Sequence, residues 1–258
     1  MLSEIEISRA IIDEATKDLL DHLSVDVIIA GAGPSGLVAA TYLARKKHKV
    51  AIFERKLSTG GGIWGGGMMF PRIVIQKEAE RILDDFNVKT KKRNSLYVAN
   101  SIEVAAKLTA GAVDAGVRIF SGISVEDVLI RKNKVCGIVI NWSAVQIAQL
   151  HVDPLSVGSR FVIDSTGHAS ELCHIVQNKV GKLDTKSGKI EGEKSMWADE
   201  AERLTIENTK EVYPGLFVAG MSANAVFGGP RMGPIFGGMF LSGEKAANLI
   251  HKRLSKEK

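Results

Sequence analysis

The chain has 258 residues, of which 45% are hydrophobic and 24% are charged, and its formal net charge is +5. This composition is typical of a globular protein, and the length suffices for one large α/β domain. Two cysteines exclude a disulfide framework, no apolar run reaches the roughly 18 residues of a membrane span, and acidic residues interrupt the apolar N-terminal positions. We therefore expect a cytoplasmic protein without a signal peptide or a membrane partner.

Acidic and basic residues are interleaved along most of the chain. The densest basic run, residues 89–93, has no neighbouring aromatic ladder on which bases could stack. Such a run is typical of a solvated face, so no nucleic-acid partner is expected. The surplus positive charge suits an anionic ligand such as a pyrophosphate.

The first predicted elements are a helix and a βαβ unit. Apolar residues at helical spacing, among them Ile5, Ile12 and Leu19, predict an N-terminal amphipathic helix. The apolar run at residues 26–30 predicts a strand, and a glycine turn follows it. Residues 37–47 are then predicted to form a helix, and residues 48–55 a second strand. A strand, helix and strand in this order predict a parallel sheet.

The remaining elements extend this α/β pattern. A glycine-rich loop is predicted at 58–69, helices at 78–86, 101–115 and 237–253, and strands at 117–120, 125–131, 135–141, 160–164 and 216–220. We predict a Rossmann-like, FAD/NAD(P)-binding three-layer fold with a parallel central sheet and an additional small β-sheet. Residues 1–258 are expected to form a single domain, with an inserted β region at about 117–141.

A glycine motif between the first strand and helix indicates dinucleotide binding. Gly31, Gly33 and Gly36 have the GxGxxG spacing, and Glu54 ends the next strand 18 residues later. These glycines allow a tight turn, so that a pyrophosphate rests at the helix N-terminus, while the acid binds an unphosphorylated ribose. NAD and FAD share this ADP half, so the motif alone does not distinguish them.

A later strand argues against the flavin. Flavoproteins of the two-dinucleotide type end such a strand with Gly-Asp, and the carboxylate contacts the flavin's ribityl chain. Here the corresponding residues are Gly220 and Met221. A methionine cannot replace that carboxylate, so flavin binding is the less favoured alternative.

Two polar clusters could bind a metal ion. His151 and Asp153 alternate along an extended segment and share one face, and His168 follows the strand at 160–164 after a short turn. Imidazole and carboxylate together suit iron(II), manganese or zinc. By spacing alone, the His-x-Asp pattern is also typical of a surface hydrogen bond or a satisfied core pair.

Arg231 lies in a loop of glycines and prolines that leads into the last helix. Its planar guanidinium can bind a carboxylate through two hydrogen bonds. An arginine that caps the loop by bonding backbone carbonyls fits the same pattern. The residues alone leave both interpretations open.

Together these stretches resemble the thiamine thiazole synthase family in its archaeal form. The resemblance runs from about residue 25 to residue 250, and PRMGP-x-FG after a strand ending Ala-Gly-Met is its most specific part. The matching pieces, in the family's order, are VIIAGAGPSGLVAATYLA, GGGIWGGGMMF, NWSAVQ, HVDP, DSTGH, GEKSMW, GLFVAGM and GGPRMGPIFGGM.

The resemblance implies a reaction that builds an adenylated thiazole carboxylate from NAD, glycine and a sulfur atom. Arg231 would hold the glycine carboxylate, and Asp153 and His168 would bind iron(II) across a subunit boundary of a homo-oligomer, expected to be an octamer. His151, Asp153 and His168 are the expected catalytic residues. Contacts to the dinucleotide are expected from Ser35, Glu54, Arg55, Gly62, Val125, His151, Val152, Asp153 and Met221.

One position departs from part of the family. Eukaryotic members carry a sulfur-donating cysteine two residues before the equivalent of Asp153, whereas this chain has His151 there. Since neither Cys136 nor Cys173 is in an equivalent place, we expect free sulfide, delivered on iron, to supply the sulfur in repeated turnovers. His151 itself fits a further iron ligand, a proton shuttle or a dinucleotide contact.

Three alternatives stay open at this point. An isomerase that converts ribose-1,5-bisphosphate to ribulose-1,5-bisphosphate would share the ring-opening chemistry. An FAD-dependent oxidoreductase would share the ADP-binding motif. A non-catalytic nucleotide sensor would bind the dinucleotide without turning it over.

Overall fold

The computed structural model describes residues 2–256. Its strands form an eight-stranded sheet and a separate three-stranded sheet. In chain order the strands are β1 (Ser24–Ala30), β2 (Val50–Glu54), β3 (Arg72–Ile75), β4 (Thr90–Arg93), β5 (Leu96–Asn100), β6 (Arg118–Ser121), β7 (Ile123–Arg131), β8 (Lys134–Trp142), β9 (Leu155–Asp164), β10 (Glu211–Tyr213) and β11 (Leu216–Val218).

The α-helices connect these strands and cover the large sheet. They are α1 (Glu4–Asp21), α2 (Pro34–Arg45), α3 (Lys77–Asp85), α4 (Ser101–Asp114), α5 (Ser143–Ile147), α6 (Glu171–Val180), α7 (Ala198–Glu207), α8 (Met221–Phe227) and α9 (Gly237–Lys256). Short 3₁₀ turns lie at Gly61–Gly65 and Gly167–Ala169. Within residues 2–256 there is no helix with the length and apolar character that a membrane crossing needs.

The large sheet is mostly parallel and has the order β10-β11-β9-β1-β2-β6. β1 lies between β2 and β9 and is parallel to both. The long strand β9 pairs antiparallel with β8 over its first residues and parallel with β11 over its last. The carboxyl ends of β1, β2, β9 and β11 therefore lie at one edge of the sheet, where ligands bind in open α/β folds.

Two hydrophobic cores lie on opposite faces of this sheet, which gives three layers. One core packs Val27 and Ile29 of β1 against helices that include α2, α4 and α9. The other packs Ile28 and Ala30 against the β7–β8 hairpin, α6 and α8. The alternation of β1 side chains between two covered faces explains its continuous apolar sequence. The predicted three-layer α/β fold with a parallel central sheet is confirmed.

The separate small sheet has the order β3-β5-β4 and is antiparallel. The additional small β-sheet predicted from the sequence is thus present. The strands of the predicted inserted β region at about 117–141, β6, β7 and β8, belong to the large sheet. β4 (Thr90–Arg93) is an exposed edge strand made mostly of charged residues, so its sequence has no apolar alternation to indicate a strand.

Helix α1 forms where the apolar periodicity predicted it, and none of its residues is buried. Ile5, Ile12 and Leu20 are each more than 60% exposed. An amphipathic helix normally buries its apolar stripe. In the single chain most of this stripe is therefore exposed, and Leu19 is partly covered.

Candidate functional site

A cleft of about 880 Å³ opens at the carboxyl edge of the large sheet. Its floor is the β1–α2 turn, and its walls come from the ends of β2, β9 and β11 and from two glycine-rich loops. The predicted site residues that line it are Gly31, Gly33, Ser35, Glu54, Arg55, Gly62, Val125, His168, Met221 and Arg231. These ten residues, from stretches that are far apart in the sequence, therefore converge on one cavity.

The glycine motif forms a tight turn at the floor of this cleft. Gly31 has φ +96°, and a Cβ there would lie 2.6 Å from the carbonyl oxygen of Ser165. Gly33 is the N-cap of α2, and Pro34 opens the helix, so the cleft faces the positive end of that helix. Gly36 does not line the cleft, because it packs against Gly31 and Ser165 below it.

The end of β9 holds this turn in place from the other side. The Ser165 hydroxyl lies 2.8 Å from the carbonyl oxygen of Ala30 and 2.9 Å from that of Gly31. Asp164 is fully buried, and its carboxylate accepts hydrogen bonds from the Cys173 backbone and the Ser222 hydroxyl. These bonds tie the β9 loop to α6 and α8, which fixes the back wall of the cleft.

Glu54 ends β2 inside the cleft and is buried. Its carboxylate accepts hydrogen bonds from the backbone N–H groups of Ala32, at 2.8 Å, and Lys56, at 2.9 Å. Two backbone donors hold an ionised carboxylate in one orientation. Each carboxylate oxygen keeps further lone pairs, so Glu54 can also accept from ribose hydroxyls.

Two charged residues at the cleft wall form an ion pair. A guanidinium nitrogen of Arg55 lies 2.5 Å from a carboxylate oxygen of Glu171 in the first turn of α6. Burial raises the pKa of Glu171, and the charge of Arg55 opposes that shift. The pair is half-exposed on the Arg55 side, so solvent screens the attraction between the two charges.

The opposite wall includes Gly62 and Met221. A Cβ at Gly62 would meet nothing within 4 Å, so this loop leaves room next to the floor of the cleft. Met221 is buried and begins α8. Ser35 is also buried, directly beneath Gly220, whose positive φ brings the two residues together.

Arg231 is exposed and lines the cleft. Its backbone is fixed on both sides, since its N–H donates to Lys194 and its carbonyl accepts from Trp197. Among residues 2–256, no acceptor hydrogen-bonds its guanidinium. The guanidinium of Arg231 therefore does not cap the loop, and its positive charge is available to an anion.

His168 also lines the cleft, on the short 3₁₀ turn after β9. Its Nδ1 lies 2.6 Å from a carboxylate oxygen of Glu193. Glu193 was not singled out from the sequence, although it belongs to the GEKSMW stretch. Lys56 and Glu171 are further cleft residues that the sequence analysis missed, because no local pattern marks them.

The segment of His151, Val152 and Asp153 lies elsewhere in the chain. All three residues are exposed, and none of them lines the cleft described above. Val152 and Asp153 line a second cavity of about 390 Å³ beside α1 and β6. Among the described residues, no group of three or more His, Cys, Asp or Glu side chains is placed to hold a metal ion. One chain thus keeps Asp153 and His168 in different cavities.

Comparison with known proteins identifies the family of this chain. A sequence profile of the Thi4 family matches residues 8–236. Thiamine thiazole synthase of Desulfosudis oleivorans is 58% identical over 98% of this chain and 99% of its own, and that of Methanothermobacter thermautotrophicus is 54% identical over the same shares. The crystal structure of Thermovibrio ammonificans THI4 has a TM-score of 0.95 and 45% identity, covering 98% of this chain and 99% of its own. The chain therefore belongs to the Thi4 family and is an enzyme.

Proposed function

We propose that this enzyme is a thiamine thiazole synthase that consumes NAD and glycine, takes its sulfur from free sulfide and turns over repeatedly. The thiazole synthase activity follows from the family, whose curated relatives carry that name, and this does not favour the isomerase or flavin alternatives. The observation that carries the finer proposal is His151, which occupies the place where a sulfur-donating cysteine is expected in suicidal members.

The cleft supports NAD as the dinucleotide. Gly31 and Gly33 would let the pyrophosphate approach the N-terminus of α2, with Gly36 allowing that helix to pack closely. Glu54 would accept the ribose hydroxyls, because its buried carboxylate is already oriented by backbone donors. Ser35, Arg55, Gly62, Val125 and Met221 would complete the contacts from the walls.

Arg231 supports glycine as the second substrate. Its guanidinium has no acceptor among residues 2–256, and it faces the same cleft as the dinucleotide motif. A free carboxylate would supply the missing acceptors through two parallel hydrogen bonds. Arg231 would thereby orient the glycine amine toward the sugar carbon with which it condenses.

Iron(II) is the proposed cofactor, with Asp153 and His168 as its protein ligands. Their carboxylate and imidazole donors suit this metal and leave positions open for other ligands. When bound, the iron would act as a Lewis acid and bind sulfide. Because one chain separates the two residues, the site fits iron only if a second copy supplies one of them.

A homo-oligomer, expected to be an octamer, would complete that site. His151, Val152 and Asp153 are exposed in the single chain, and so is the apolar stripe of the neighbouring helix α1. Exposed apolar residues on a helix of this kind support association with a second chain. We propose that this surface brings His151, Val152 and Asp153 to the dinucleotide cleft of the partner.

The cysteines of the chain support an external sulfur source. Neither lines the dinucleotide cleft. Cys173 is fully buried, and burial together with Asp164 raises its thiol pKa, so it stays a neutral thiol and a poor nucleophile. Cys136 donates weakly to the Leu129 carbonyl on the β7–β8 hairpin.

The decisive experiment is anaerobic incubation with NAD, glycine, sulfide and iron(II), followed by mass analysis of small molecules and intact protein. We expect adenylated thiazole in excess of enzyme and an unchanged protein mass. Thiazole limited to one equivalent, with a cysteine converted to dehydroalanine, would contradict the proposed sulfur source. Absence of thiazole with intact NAD would contradict the substrate assignment as a whole.

A further inference from the structure

The imidazole ring of His168 is in contact with a carboxylate, that of Glu193. The Nδ1–Oε1 distance is 2.6 Å, the His168 side chain is 53% exposed, and the Glu193 side chain is 18% exposed. A partly buried carboxylate at this distance forms a strong, directional hydrogen bond. The exposed ring is thus held by a much less exposed partner.

The chemistry of this contact determines where the ring proton lies. An ionised carboxylate only accepts hydrogen bonds, so the proton must be on Nδ1 of His168. In the neutral ring this leaves Nε2 unprotonated, with its lone pair free. Since His168 lines the cleft and Nδ1 is occupied by Glu193, Nε2 is the nitrogen available to a ligand there.

Glu193 is well placed to hold the ring, because its own backbone segment is fixed. Glu191 and Gly192 donate backbone hydrogen bonds to residues at the end of α8, and Lys194 donates to Gly229. Lys194 also accepts from the Arg231 backbone N–H. The segment 191–197, which these backbone hydrogen bonds hold in place, therefore contacts two predicted binding residues, His168 and Arg231.

We propose that Glu193 is a positioning residue that holds His168 as the Nδ1–H tautomer and directs its Nε2 lone pair into the cleft. This deepens the proposed function, on which it rests only for the identity of the ligand that meets Nε2. Carboxylates that accept from the second nitrogen of a ligating histidine fix its tautomer and orientation and increase its basicity. Glu193 has this relation to His168, with its Oε1 atom 2.6 Å from Nδ1.

The first test reads the tautomer directly in the metal-free protein. Histidine ring nitrogens are labelled with ¹⁵N, and solid-state NMR spectra are recorded at a pH where the rings are neutral, with the His168 signals assigned by their loss in His168→Ala. We expect protonated Nδ1 and unprotonated Nε2 in the unmodified chain. Glu193→Gln should keep this state, because the amide oxygen still accepts, and Glu193→Ala should lose it.

A matched control and the opposing outcome make this test specific. Glu191→Ala removes a carboxylate of the same segment, which bonds the Ser187 backbone and not His168, so the His168 tautomer should not change. A protonated Nε2 in the unmodified chain, or an Nδ1–H state that survives in Glu193→Ala, would overturn the proposal.

The second test measures anaerobic iron(II) affinity and separates this inference from the proposed function. We expect Glu193→Ala to weaken iron binding about 10- to 100-fold, Glu193→Gln less, and Glu191→Ala not at all. Equal affinity of Glu193→Ala and the unmodified chain would overturn the positioning role. If the unmodified chain binds no iron but shows the Glu193-dependent tautomer, the positioning role stands and the metal assignment falls.

Discussion

The backbone N–H of Ala32 donates a 2.8 Å hydrogen bond to the carboxylate of Glu54. This bond joins the glycine turn after β1 to the end of β2, so the acid that would bind the ribose also shapes the loop that would bind the pyrophosphate. The second oxygen of the carboxylate accepts from the Lys56 backbone. The two halves of the proposed dinucleotide site are therefore coupled through one buried side chain.

Glu54→Gln should weaken NAD binding about 10- to 100-fold, since a hydrogen bond to a charged group contributes about 1.5–3 kcal/mol. The amide has one acceptor oxygen, so it cannot serve both backbone donors and the ribose. Titration calorimetry measures the affinity, and Glu78→Gln on the exposed face of α3 is the control. Unchanged affinity would place the ribose elsewhere.

Two glycines of the cleft should respond differently to alanine. At Gly36 a Cβ would overlap the Gly31 carbonyl and lie 2.7 Å from the Ser165 hydroxyl, whereas at Gly62 it would meet nothing within 4 Å. We expect Gly36→Ala to lower the free energy of unfolding by about 1–3 kcal/mol or more. Gly62→Ala should leave stability unchanged while it weakens NAD binding by crowding the ligand.

Urea denaturation and NAD titration of both glycine variants check this pair of expectations. A stable Gly36→Ala variant would mean that α2 can move away from β1. Normal NAD binding by Gly62→Ala would mean that the loop does not approach the dinucleotide.

The turn formed by the glycine motif could be predicted because it depends on residues close together in the sequence. Gly31, Gly33 and Gly36 must lie between a strand and a helix to form the turn, and Glu54 must end the next strand. The contact of Glu193 with His168 has no such signal. It depends on backbone bonds that join segment 191–197 to α8 and to Arg231, and these form only in the folded chain.

Two features of the fold likewise have no local signal in the sequence. The periodicity of α1 predicted a helix correctly but not that none of its residues is buried in one chain, because periodicity does not show which surface packs against a helix. The strand β4 was not predicted, since its charged side chains are all compatible with an exposed edge and break the apolar alternation.

Arg231→Lys should raise the KM for glycine about 10- to 100-fold, because an ammonium cannot reproduce the two parallel hydrogen bonds of a guanidinium. The affinity for NAD should change little. Steady-state kinetics with each substrate varied in turn separates the two effects. Arg203→Lys, on α7 in a surface network with Glu200 and Glu207, is the matched control. Equal increases in the KM of both substrates would argue against a glycine-specific role.

Cys136→Ser and Cys173→Ala should both retain repeated, sulfide-dependent turnover. Cys173 is buried as a neutral thiol, and Cys136 is on a hairpin away from the cleft lining. Product per enzyme, measured over several equivalents, is the readout, with thermal unfolding to account for the cavity that Cys173→Ala leaves. Loss of the first turnover in a stably folded variant would identify an internal sulfur donor.

The stability of the protein should decrease between about pH 4.5 and pH 7 through Glu202. Burial raises the pKa of this glutamic acid from its usual 4.5 to about 7. In that interval the folded state holds a proton that the unfolded state has released, so the unfolding free energy falls as the pH rises. At 1.36 kcal/mol per unit this contribution is about 3 kcal/mol.

Burial leaves the ionised form of Glu202 poorly stabilised, which is why the proton is retained. Its Oε1 atom is buried without a hydrogen-bond partner, and the hydrogen bonds from the Gly238 backbone N–H, at 2.5 Å to Oε2, and from Gln76 only partly oppose the rise in pKa. In Glu202→Gln an uncharged amide with its own N–H donors stands at this position at every pH, so the substitution should remove this pH dependence. Urea unfolding at several pH values gives the difference from the unmodified chain, and Glu207→Gln on the exposed side of α7 is the control. An identical pH slope in Glu202→Gln would show that Glu202 is ionised in the folded protein throughout this range.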